Sequence, residues 1–432
     1  MKILLVKPRW FVHGGQYRYL EHIRFTPLSL GILASLSPGH EVRIVDGDWE
    51  RIPLDQPFDL VGITATTFTS ERAFELADGF RKQGAKVVLG GVHPTIMPEE
   101  SLEHADSVAV GEAEYVWPDI LRDAEKGKLE RVYQSKKLTD MNDVPVPRRD
   151  LLGEPSWFAT VQATRGCPNS CKYCYLPSVS WREFRKRAPE LVQEEVRQLS
   201  QKLLFFVDDN IFADRNYALD VFRRITPLKK VWSIQAPTTI AEDDELLDAM
   251  TAAGCFNLQI GFQSFNKKSL DLAAVSHNTV EKYRILVEKL HARNILATGF
   301  FIFGFDADGP DSFDATVEAI RRIDLDDANL YILTPYPGTA LYAQFQKEGR
   351  LLEGKSRFQF GWSHAVFKPK LMAPEELEAG VQHAYDSLYG HFRRRLARAL
   401  LKRWMLLVRN PRLLGVLVAG TMRRASVKKE PV

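Results

Sequence analysis

Three cysteines fall within eight residues, Cys167, Cys171 and Cys174, in the run Thr164-Arg165-Gly166-Cys167-Pro168-Asn169-Ser170-Cys171-Lys172-Tyr173-Cys174-Tyr175. This run constrains the fold more than any other feature, because one loop has to turn three thiols toward a common volume. Thiolates at C-x3-C-x2-C spacing can wrap three irons of a [4Fe-4S] cube from a single loop. The chain offers one further cysteine, Cys255, far away in sequence. A cube held in this way keeps one iron open, and a small chelating molecule can bind there and receive an electron. A zinc site ordinarily takes a fourth Cys or His, and no His lies near the loop.

The loop follows a strand-like run. From Trp157 to Thr334 short apolar segments, Phe158 to Ala163, Leu203 to Val207, Val231 to Gln235, Asn257 to Gly261, Ala297 to Phe303 and Ala328 to Leu333, alternate with helical periodicity such as Pro189 to Gln201 and Asp243 to Ala253. Residues 1 to about 140 show a similar rhythm. Ile3 to Val6, Val42 to Val45, Leu60 to Thr64, Val87 to Leu89 and Ser107 to Val110 are brief β-branched runs, with amphipathic stretches such as Ser70 to Gln83 between several of them. The expected fold class is α/β: a Rossmann-like, doubly wound parallel sheet over 1–138 and a second parallel βα array over 153–345. Asp140 to Arg149, with two prolines, predicts an extended linker over 139–152, and 346–432 reads as a helical, basic segment.

The cysteine loop, with Tyr173 just before its last cysteine, resembles the signature of the radical S-adenosylmethionine (radical SAM) enzymes. The six βα units resemble the partial (βα)6 TIM-type barrel of that family, whose chemistry lies at the C-terminal strand ends. The resemblance implies a [4Fe-4S] cluster on Cys167, Cys171 and Cys174 and SAM on the open iron. Its reductive cleavage gives a 5'-deoxyadenosyl radical and needs an electron donor such as flavodoxin or ferredoxin. It also implies SAM contacts from Tyr173, from Asp208, Asp209 and Asn210 after the second strand, from Gln263 and Ser264 after the fourth, and from Ile302 in the fifth. Gln263 stands where the family commonly has Glu. The same residues also fit helix caps and strand cores. Arg182, Arg185 and Arg187 read as solvated charges, with pairing of one of them to the SAM carboxylate as the alternative.

Asp59 to Thr64, Val88 to Thr95 and Gly111-Glu112-Ala113-Glu114 resemble the cobalamin (B12)-binding domain that precedes many radical SAM enzymes. That likeness implies cobalamin contacts from Thr64, Gly90, Gly91 and His93, the glycine pair leaving room for close approach. The D-x-H-x-x-G element that supplies a lower cobalt ligand in the cobalamin mutases is absent, and His13, which follows the first strand, reads as a loop histidine, with a place facing the cobalt site as the alternative.

The net charge of +3 conceals an asymmetry. Beyond residue 390, nine Arg and three Lys against one Glu give +11, leaving −8 for the rest. Interleaved Leu and Trp404 make that tail an amphipathic basic segment. It suits peripheral contact with an anionic membrane surface, or a barrel cap with a solvated face. Four cysteines form no disulfide framework and point to a reducing compartment, and the short apolar start reads as a strand rather than a leader. The expected location is cytoplasmic, peripheral to the inner membrane face where the tail binds it. Together these features imply a cobalamin-dependent radical SAM enzyme, a methyltransferase at an unactivated carbon of a hydrophobic or pigment-like molecule, with no nucleic-acid partner. A radical SAM cyclase, oxidase or ring-rearranging enzyme, or a non-catalytic iron-sulfur or cobalamin-binding regulator, remain alternatives on the residues alone.

Overall fold

Ile3, Leu4, Leu5 and Val6 are consecutive and all lose solvent entirely, as a strand covered on both faces does. In the computed structural model, which describes residues 1–9, 25–153, 158–179, 182–275 and 277–389, that strand lies inside a parallel sheet. Its members are β1 (Lys2–Lys7), β2 (Glu41–Asp46), β3 (Leu60–Thr64), β4 (Lys86–Gly90), β5 (Ser107–Val110) and β6 (Val132–Gln134), in spatial order β2-β1-β3-β4-β5-β6. The strand order reverses between β1 and β3, so a crevice opens at their carboxyl ends. The short β6 escapes a sequence reading because only Tyr133 of its three residues is buried.

The second half contains β7 (Phe158–Val161), β8 (Thr164–Arg165), β9 (Arg185–Lys186), β10 (Leu203–Phe206), β11 (Val231–Ala236), β12 (Cys255–Gln263), β13 (Leu296–Phe303) and β14 (Asp327–Ile332). All but β8 and β9 form a six-stranded parallel sheet in sequential order from β7 to β14. Pairing ends at β7 and β14, so the barrel is partial. Along β13 and β14 buried and half-buried residues alternate strictly. One face packs under helices and the other lines an open lumen, unlike the filled interior of a closed barrel. On the packed side Phe222 stacks on Trp232 at 4.8 Å between ring centres. The helix that carries Phe222, Arg215–Ile225, starts at Asp214, whose carboxylate accepts from the Tyr217 N–H at 3.0 Å.

The stretch 139–152, expected as an extended linker, has no helix or strand and is docked: Met141, Val144 and Leu152 are buried, and the Arg148 N–H donates to Gly31 O at 3.0 Å, holding the segment on helix Leu28–Ser35. Helix Pro374–Tyr389 begins with Glu375 and Glu376 and covers the β14 edge. Its Tyr385 hydroxyl accepts from the Leu330 N–H at 2.9 Å and its Tyr389 hydroxyl from the Ala328 N–H at 2.8 Å, occupying edge donors that would otherwise invite another strand. Residues 391–432, which hold the basic tail, and His13 lie outside the described residues. No helix among the described residues is long and apolar enough to cross a membrane.

Candidate active site

β8 and β9 pair as an antiparallel hairpin that closes the neck of the cysteine loop. The loop opens on Gly166, whose φ of +93° lies where a side chain is disfavoured. Two carboxylates from the end of β10 hold this neck. Asp208 accepts from the Ala163 N–H at 3.1 Å, the Thr164 N–H, and the Thr164 hydroxyl at 2.6 Å. Asp209 accepts from the Gly166 N–H at 2.8 Å. Burial raises the Asp208 carboxyl to about 7 against these donors.

The loop faces a cavity of about 610 Å³. Cys167, Cys171 and Cys174 all line it, joined by Tyr173, Asp209, Asn210, Gln263 and Ile302 among the expected site residues. The Asn210 amide lies 3.6 Å from Cys167 Sγ. Gln263 has φ +65° at a register shift between β12 and β13, and its amide folds over Gly261. An irregular non-glycine backbone of this kind concentrates at ligand sites.

Other expected residues stand elsewhere. Asp208 is turned into the neck of the loop, spent on backbone N–H groups rather than facing the cavity. Ser264 is buried, its hydroxyl accepting from the Asn266 N–H at 3.0 Å, and it borders a neighbouring cleft of about 190 Å³. His93 is fully buried at the start of helix Val92–Ile96, with Nε2 3.4 Å from a Glu100 oxygen and its ring 5.8 Å from that of Phe74, so it faces the domain core. Thr64 and Gly90 close the β3 and β4 ends, and Gly91 turns there with φ +96°. The first domain reaches the cavity through Thr66, Thr67, Phe68 and Val92, a few residues beyond the positions read from sequence. Arg185 and Arg187 are not solvated: Arg185 grips Glu112 with two nitrogens at 2.7 Å, and Arg187 pairs with buried Glu195. Arg182 is exposed.

The opposite wall is aromatic. Phe300 and Tyr331 stack with ring centres 5.9 Å apart and planes at 12°, Trp362 lies 5.6 Å from Tyr331, and Phe68 lies 5.4 Å from Trp362. Trp362 comes from a connection after β14 and carries φ +67°, which no local sequence signal announces. Gln235, Gln259 and His277 add polar points, and burial pulls the His277 imidazole below its ordinary 6.5. Among the described lining residues the only carboxylate is Asp209, and none is Lys or Arg.

The donor set fits an iron-sulfur cube. Three thiols from a single loop share one cavity, the arrangement a cube with one open iron requires. Burial raises Cys171 and pushes Cys174 up to about 12, so metal uptake there releases protons. The first domain's contribution to the cavity starts at the β3 and β4 ends, which approach each other so closely that a Cβ on Gly91 would stand 2.7 Å from Thr64 Oγ1; cobalamin would lie against these ends.

Comparisons with known proteins agree with this geometry. Residues 161–320 match the Radical SAM superfamily and residues 27–121 the B12 binding domain. Bacteriochlorophyllide d C-12(1)-methyltransferase of Chlorobaculum tepidum is 31% identical over 373 residues, covering 81% of this chain and 80% of that protein. Hopanoid C-2 methylase of Rhodopseudomonas palustris is 23% identical over 448 residues, 95% of this chain and 85% of that protein. The structure of the radical S-adenosylmethionine methyltransferase TsrM from Kitasatospora setae, with cobalamin and a [4Fe-4S] cluster bound, has the same fold. Its TM-score is 0.67 at 18% identity, over 94% of this chain and 91% of that one.

Proposed function

The chain belongs to the cobalamin-binding radical SAM enzymes, and on that premise we propose that it methylates an unactivated carbon of a large, flat, apolar molecule of the tetrapyrrole pigment class. The observation that carries this reading is the cavity itself: three thiols on one wall, stacked Phe300 and Tyr331 with Trp362 on another, and no cation among the described lining residues. Such a surface favours a conjugated plane over a charged metabolite. The similar bacteriochlorophyllide d methyltransferase supports the same substrate class.

Cys167, Cys171 and Cys174 would hold the cluster, with SAM beside Tyr173, Asn210, Gln263 and Ile302. Cobalamin would rest on the Thr64 to Phe68 and Gly90 to Val92 strand ends. When bound, these groups supply radical generation and a transferable methyl, with electrons from a donor of the flavodoxin or ferredoxin kind. The chain's own contribution is placement. Asp208 and Asp209 fix the loop neck, the aromatic wall orients the substrate and keeps water from its face, and Gln235, Gln259 and Gln263 offer neutral hydrogen bonds.

The test is anaerobic reconstitution with cobalamin, SAM, a reductant and a bacteriochlorophyllide, followed by mass spectrometry. A product carrying a methyl in place of one hydrogen, heavier by one CH2, with both 5'-deoxyadenosine and S-adenosylhomocysteine, is the expected result. 5'-Deoxyadenosine with an unmethylated, oxidised or cyclised product would overturn methyl transfer in favour of the cyclase or oxidase alternative.

A further inference from the structure

Glu112 and Glu114 follow β5 on the strand-end rim of the first domain, and both reach into the second. Arg165 Nη1 lies 3.0 Å from Glu112 Oε1 and its Nη2 2.9 Å from Glu114 Oε1. Arg185 takes both oxygens of Glu112 at 2.7 Å and donates to Thr139 O at 2.8 Å. The Thr139 N–H in turn donates to Glu112 at 2.8 Å. These groups are shielded: the Glu112 side chain is 2% exposed, and those of Glu114, Arg165 and Arg185 are 10% exposed. Arg165 and Arg185 are directly paired across the β8–β9 hairpin, and Gly166 and Cys167 follow Arg165 at once.

We propose that Glu112 and Glu114 are positioning residues, which through Arg165 and Arg185 clamp the neck of the cysteine loop to the cobalamin-domain rim and so fix the spacing between the two cofactor faces. This rests on the function proposed above. The partners' places argue for more than general adhesion between domains. The second domain's side of the clamp is the two facing residues of the hairpin from which the cysteine loop emerges. The first domain's side continues directly from the end of β5, in the row of strand ends beside Gly90 and Gly91. Two-point guanidinium–carboxylate pairs fix orientation as well as distance, and shielding from water makes them stiff. Loss of one carboxylate would leave a guanidinium without its partner in a site where that is costly, so the hairpin would shift to find another. Asp209, which holds the Gly166 N–H, also lies in the field of both arginines, so the clamp and the loop neck are one electrostatic unit.

The experiment uses the full chain loaded with cluster and cobalamin, comparing wild type with Glu112→Gln and Glu114→Gln. With the cluster reduced and the cobalt as cob(II)alamin, both centres are paramagnetic, and pulsed electron paramagnetic resonance reads their separation. Wild type should give one narrow distance, and the variants a shifted or broadened one, Glu112→Gln more than Glu114→Gln. Methylated product per 5'-deoxyadenosine should fall by about ten- to a hundredfold, the scale of a misplacement of about 1 Å, while iron and cobalamin content stay at the wild-type level. If Glu112→Gln does not fold, Glu114→Gln, which takes the charge from one Arg165 contact, carries the test. An unchanged distance and product ratio in the variants that fold would overturn the clamp, as would loss of the cluster in Glu114→Gln, which would make the pair a support of the cysteine loop's fold rather than of the spacing. Wild type that binds no cobalamin would overturn the proposed function itself.

Discussion

Replacing Gly91 by alanine isolates what the first domain asks of its backbone. Gly91 sits at φ +96°, ψ −168°, a region essentially restricted to glycine, so any side chain costs about 1–3 kcal/mol before contacts are considered. The added Cβ would also stand 2.7 Å from Thr64 Oγ1, 2.9 Å from Ala65 O and 3.0 Å from Ala65 N. Those backbone atoms cannot swing away freely, because the Ala65 N–H donates to Gly90 O at 2.8 Å and Ala65 O accepts from the His93 N–H at 3.0 Å. The combined penalty is on the order of 3 kcal/mol, relieved by displacing the β4 turn from the β3 end. Cobalamin affinity should therefore weaken by tenfold or more while iron per chain is unchanged. Absorbance of retained cobalamin after desalting, with iron analysis on the same sample, measures both. Gly84→Ala is the control: φ is +90° but nothing lies within 4 Å of its Cβ, so it should cost about 1 kcal/mol and leave cobalamin binding alone. Equal cobalamin affinity for wild type and Gly91→Ala would refute the reasoning.

Single Cys167→Ala, Cys171→Ala and Cys174→Ala changes should each abolish the cluster and SAM cleavage, whereas Cys255→Ala, buried at the N-terminal end of β12, should keep both; iron and sulfide analysis decides, and full cluster content in any triad variant sinks the ligand assignment. Asp208 has its carboxyl raised from 3.8 to about 7, so the stability it contributes is complete below about pH 4 and lost as pH rises through 7, an amplitude of about 4 kcal/mol. Asp208→Asn should flatten that slope in anaerobic denaturation of cluster-free protein between pH 5 and 8, and parallel slopes would contradict it. For the tail, each basic residue that reaches an anionic leaflet should gain on the order of 1 kcal/mol. Full-length chain should co-sediment with anionic liposomes at low salt and a chain ending near Gly390 should not; equal behaviour of the two removes the membrane role.

The chain's local chemistry fixed much of the architecture before any contact was known. Runs such as Ile3 to Val6 are short, β-branched and without polar alternation, which suits a sheet covered on both faces, and the helical periods between strands then favour parallel βα winding. The cysteine triad is likewise legible, since all its ligands come from one loop. What tertiary structure alone decided is which side chains meet. Asp208 looked like a ligand because it follows a strand, but burial and three nearby donors turn it into the brace of the loop neck. Arg185 read as a solvated charge until a carboxylate from the other domain, 73 positions away, came within 2.7 Å. Phe68 and Trp362, nearly 300 residues apart, share one wall only because the carboxyl ends of both sheets face the same cavity. Periodicity records which face of an element is apolar, whereas a site assembled from several strand ends depends on how whole elements dock, and no local pattern encodes that.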